Sequence, residues 1–162
     1  MIDTASVATI KKELQELPPK VLKELCLRLV KYKKENKELL SYLLFEAQDE
    51  ENFIEQVKEE IRDGFQSMNQ ANLHWAKKSI RKVLRLTTKY IRYSGLKQTE
   101  VALLLYFCQQ LKTSGIPFRQ STTLLNLYRS QVKKIDKALA ALHEDLQYDY
   151  ADAIAELDLP EA

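Results

Sequence analysis

Three glycines and four prolines are all the backbone punctuation this chain of 162 residues carries. Breakers that scarce leave room for a few long elements and little turn material. Between the breaks the apolar residues recur at helical spacing. Leu22, Leu25, Leu29 and Tyr32 follow one another at 3, 4 and 3 residues, the period of an amphipathic helix. An all-α fold is the expectation, and a chain of this length can bury roughly 70% of the surface it exposes when unfolded.

The breaks place the helices. Pro18 and Pro19 end a short first helix near Leu17 and open a second, because proline in the first helical turn lacks only a donor that had no partner. "KELLSYLLFEA", apolar almost all round, reads as a third helix with a buried centre. "DEENFIEQVKEEI" starts a fourth, its acids in the turn where the helix dipole favours them. Gly64 and "QSMNQAN" predict the next break, a fifth helix over about 73–94 runs to a capping Gly95, and "QTEVALLLYFCQQLKTSG" forms a sixth.

"LRLVKY" at 27–32 is echoed by "LRLTTKY" at 84–90, and "KELLSYLLF" by "TEVALLLYF". If this is a duplication, two helical hairpins stack with segments 39–45 and 101–108 at the centre. Beyond Pro117, Leu125, Tyr128, Val132, Ile135, Leu139, Leu142 and Leu146 keep a 3-4 alternation. The residues flanking that seam, among them Arg129, Gln131, Asp136 and His143, pair poorly across a coiled coil. One long helix closing the hairpins of its own chain is favoured, and a homodimer is the alternative. The expected architecture is six or seven helices in a single domain over 1–162, with a tail frayed from about 151.

Cys26 and Cys108 lie among apolar residues without CxxC spacing and read as reduced core thiols. The opening "MIDTASVATI" has no basic, apolar leader, and no apolar run approaches the ~20 residues of a membrane span. A cytoplasmic location away from the membrane is expected.

Net charge is only +2, so any electrostatic function must be local. It is sharply local. Between Asp63 and Glu100 there is no acid, against eight bases: Lys77, Lys78, Arg81, Lys82, Arg85, Lys89, Arg92 and Lys97. Lys78, Lys82, Arg85, Lys89 and Arg92 fall on one helical face, opposite Ala76, Ile80 and Val83. Trp75 and Tyr93 sit beside this stripe, giving the aromatic interleaving by which nucleic-acid sites stack bases while charges hold phosphates. Residues 46–63 hold eight acids against Lys58 and Arg62, so internal complementarity is the favoured use of the stripe. An outside acidic protein comes next, then nucleic acid or another polyanion.

Catalytic patterns are lacking. His74 and His143 have no HExxH spacing, Ser79, Thr87 and Ser130 have no nucleophile elbow, and neither cysteine has an evident base. No metal site, cofactor or catalytic residue is expected.

The order "IKKELQELPPKVLKELCLRLVKYKKENKELLSYLLF", "DEENFIEQVKEEI", "AKKSIRKVLRL" and "EVALLLYFCQQLKTSGI" loosely resembles a family of small bacterial all-helical proteins of unknown function. The resemblance implies the fold class and supplies no activity or site residue. The functional expectation is a non-catalytic module that binds a protein partner. Its alternative is a nucleic-acid or polyanion binder acting through residues 73–94, and an enzyme of unrecognised chemistry comes third. Either a monomer or a homodimer fits.

Overall fold

The structure is a computed structural model and describes residues 1–160. Among these the secondary structure is helical throughout, with eight α-helices where six or seven are expected. The chain divides into two compact units, Met1–Leu44 and the chain from Phe45 onward, where its length alone suggests one.

The first unit holds α1 (Val7–Gln15), α2 (Pro19–Tyr32) and α3 (Lys34–Ser41). Ser6 caps α1, its Oγ accepting from the Thr9 amide at 3.2 Å. Pro19 occupies the first position of α2, where its missing N–H costs nothing. A single extended residue, Lys33 at φ −145°, separates α2 from α3. The Asn36 amide nitrogen then donates to the Leu29 carbonyl at 2.8 Å, serving an acceptor that the end of α2 leaves open. No residue of α1, α2 or α3 is buried. The apolar stripe of α2 lies mostly outside: Leu25, Leu29 and Tyr32 are exposed and Leu22 is half-buried, while Cys26 is exposed and so is not a core thiol.

A π-helical turn, Tyr42–Glu46, follows. It overturns the expectation of a buried helical centre at 39–45, since Tyr42 is buried but Leu43, Leu44 and Phe45 are all exposed.

The second unit is built around α6 (Lys97–Thr113), packed against α4 (Glu50–Gln66), α5 (Leu73–Ser94) and α7 (Thr122–Ala140). Only neighbours on several sides can cover a helix that is apolar all round. Val101, Leu103, Leu104, Phe107, Cys108 and Leu111 are all buried. Each such side chain gains about 1.5–3 kcal/mol on leaving water. The Phe65 and Phe107 rings meet at 5.7 Å between α4 and α6.

Asp49 caps α4, Asn72 caps α5 and Ser121 caps α7, each through a side-chain oxygen on an amide three residues on. Gly95 ends α5 in the left-handed region at φ 70°, as its position in the sequence predicts. Gly64 differs from expectation. It lies inside α4 rather than at a break, and its bare Cα lets Val83 of α5 approach closely.

The single long closing helix is also corrected. The chain breaks at Ala141–His143 and restarts as α8 (Glu144–Ala155), with His143 Nδ1 accepting from the Asp145 amide at 3.2 Å. On α7 the buried stripe is Leu124, Tyr128, Gln131, Ile135 and Ala138; it shares Tyr128 and Ile135 with the expected seam, whose other α7 members Leu125, Val132 and Leu139 are half-buried. Where fraying is expected from about 151, α8 continues to Ala155 and Leu157 is buried.

Candidate functional site

The basic stripe lies on α5, whose opposite face, Ala76, Ile80, Val83 and Thr87, is buried. With that face fixed in the core, the helical period turns Lys78, Lys82, Arg85 and Arg92 to the solvent. Trp75 is 44% exposed. Lys78 Nζ stands 5.0 Å from the Trp75 ring centroid, a cation–π contact, and the His74 ring meets the indole edgewise at 5.7 Å.

The expected stripe separates into two parts. In its first half, Trp75, Lys78, Ser79, Arg81, Lys82 and Arg85 line one open concavity. Arg81 belongs to this group although it falls off the stripe drawn from the sequence, because a concavity gathers cations from more than one line along a helix. In the second half, Lys89 is half-buried with Nζ 4.9 Å over the Tyr90 ring, and Tyr90 meets Tyr93 edgewise at 6.0 Å. Tyr90 also meets Phe53 of α4 at 5.9 Å. Lys89 and Tyr93 thus join an aromatic cluster at the α4–α5 contact, away from the concavity lining.

Five of the eight acids of residues 46–63 have other side-chain partners. Glu60 accepts from Tyr90 Oη at 3.1 and 3.2 Å, and Glu50 accepts from Ser94 Oγ and, at 2.6 Å, from Thr99 Oγ1. Glu46 accepts from the Gln56 amide at 3.1 Å. Glu55 pairs with Lys58 at 2.9 Å and Glu59 with Arg62 at 3.8 Å, within α4 itself. Among the described residues, Lys78, Lys82, Arg85 and Arg92 pair with no acid. The internal neutralisation that the sequence favours is not made by these four.

The buried nucleophiles Thr87 and Cys108 are quiet. Burial pushes the Cys108 thiol up to about 12, so it stays protonated and unreactive near neutrality. Thr87 Oγ1 donates to the Val83 carbonyl at 2.8 Å within its own helix. Among the described residues no three His, Cys, Asp or Glu side chains gather as metal ligands, and no helix is long and apolar enough to cross a membrane.

Comparison with protein-family models, curated proteins and solved structures finds no match to this chain.

Proposed function

We propose that the chain is a cytoplasmic, non-catalytic protein-interaction module whose contact surface is the helical unit of residues 1–44. One observation carries this reading: α1, α2 and α3 bury none of their residues, while Leu25, Leu27, Leu29 and Tyr32 stay exposed along α2, Leu29 by 59% and Tyr32 by 84%. An amphipathic helix draws its stability from covering its apolar face, and exposed apolar clusters rimmed by charge are characteristic of protein contacts. Lys23, Arg28 and Lys31 on α2 supply that rim. The complementary partner is an amphipathic helix with an apolar stripe and acidic flanks.

The test is affinity capture from native lysate with the full chain and with the Leu29→Asp/Tyr32→Asp variant. A protein partner retained by the wild type and lost by the variant, with the melting transition of the larger unit unchanged, supports the reading. Equal capture by both chains, or none by either, overturns it.

A further inference from the structure

The first half of α5 carries a surface of a different chemical kind. The concavity of Trp75, Lys78, Arg81, Lys82 and Arg85 contains four cations, one exposed indole and no acid. No acid occurs in the chain between Asp63 and Glu100. Glu60 lines the neighbouring groove with Lys82 rather than the concavity itself, so its negative charge offsets the four lining cations only in part. The positive potential over the concavity is therefore left for an outside anion.

Lining chemistry selects the class of that anion. A protein interface needs a desolvated apolar centre with aromatic anchors in pockets, and Trp75 is the only large apolar side chain lining this concavity. Nucleic-acid interfaces are far more polar and positive. An exposed indole adds a stacking platform, which a base can use only when it has left its own stack, as in single strands. From Trp75 to Arg85 the helix rises about 15 Å, long enough to lie along a short run of nucleotides of one strand.

We propose that the first half of α5 is a binding site for single-stranded nucleic acid, with Trp75 stacking on a base and Lys78, Arg81, Lys82 and Arg85 contacting successive phosphates. Preference among sequences is weak, because every base offers a ring face and phosphates carry no sequence information. This site and the apolar surface of residues 1–44 rest on separate observations, so either can fail without the other.

The experiment uses the full chain and a short oligothymidylate, titrated between about 50 and about 200 mM salt. The chain contains one tryptophan, so its fluorescence reports this site directly. Binding should quench Trp75 and weaken with salt at a log–log slope of about −3, from four contacts at about −0.7 each. Lys82→Glu/Arg85→Glu should abolish it, and Trp75→Phe should lose the optical signal but retain binding by anisotropy. Lys133→Glu/Lys134→Glu, on exposed positions of α7, should leave it intact. Should the double reversal unfold the chain, Lys82→Gln/Arg85→Gln serves instead, with affinity reduced about tenfold or more. Absence of binding at the lowest salt, binding without quenching, equal affinity for a duplex, or tighter binding of an oligoglutamate than of the oligothymidylate would each overturn the proposal.

Discussion

Tyr128 Oη donates a 2.6 Å hydrogen bond to the carbonyl of Leu157, and both residues are only 1% exposed. The bond ties α7 to the chain that follows α8. Lys112 of α6 donates to the Glu156 carbonyl and, at 3.2 Å, to that of Asp158, and Arg119 donates to that of Pro160. Tyr128→Phe leaves a buried carbonyl unserved and should cost about 1–3 kcal/mol in urea unfolding. Hydrogen exchange should quicken first at residues 156–158. Unchanged exchange there would show that the tail is held by Lys112 and Arg119 alone.

Alkaline pH should weaken the same region. Burial raises the Cys108 thiol from 9.0 to about 12, and burial, followed by the charges of Cys108 and Asp158, raises the Tyr128 phenol from 10.0 to about 12. The unfolded chain releases these protons first, so stability is whole below pH about 9 and falls as pH climbs toward about 12. In Cys108→Ala the decline should begin nearer pH 10. The urea midpoint followed against pH distinguishes the two profiles.

A Cβ at position 64 would lie 2.7 Å from Val83 Cγ2. Alanine in a helix interior gains about 1 kcal/mol over glycine, but Val83 is buried and β-branched, with one strongly preferred rotamer, and overpacking costs about 1–3 kcal/mol. Gly64→Ala should therefore lower the melting temperature. In a Val83→Ala background the same substitution should raise it. A double-mutant cycle showing no coupling would place the α4–α5 contact elsewhere.

Gln131 occupies the buried stripe of α7, its amide nitrogen donating to the Leu127 carbonyl at 3.3 Å while Oε1 has no partner. Replacing an under-served polar group with an apolar one of similar size removes a cost of about 1–3 kcal/mol. Gln131→Leu should raise the melting temperature. A fall would mean that a bound water serves Oε1.

A peptide of residues 121–150 should be largely unfolded alone. The buried face of α7 rests against α6, and a helix of this length without its cover is marginal in water. Circular dichroism across concentrations checks this. A concentration-dependent helical dimer would make the 3-4 seam a self-association surface.

The sequence was most legible where local chemistry decided the outcome. Pro19 and Gly95 mark helix ends through their own backbones, and the apolar run of α6 pointed to a buried helix because no single face could shelter it. The break at Ala141–His143 carried a weaker signal. Glu144 and Asp145 are first-turn acids, but no glycine or proline marks the stop. Gly64 misled because a glycine admitted for close packing looks the same in sequence as one that ends a helix. The exposed stripe of α2 was illegible for another reason: periodicity shows that a helix has an apolar face, not whether its own chain covers it. On α5 the charge block was plain, but its division into an open half and an aromatic-bound half depends on Phe53 and Glu60 of another helix.

The central place of α6 has a consequence during synthesis. Its cover comes partly from α4 and α5, made earlier, and partly from α7, made later. At about 5–20 residues per second, roughly 1–5 s separate completion of α6 from completion of α7. For an interval of that length after α6 emerges, while α7 is still in the exit tunnel, its apolar run over residues 101–108 stands open on one side at the ribosome surface. A chain halted with α7 still in the exit tunnel should be cut by protease within α6, and one with α7 emerged should resist. Nascent-chain chaperones that recognise apolar segments should therefore engage this protein late, just before its last helices close over α6.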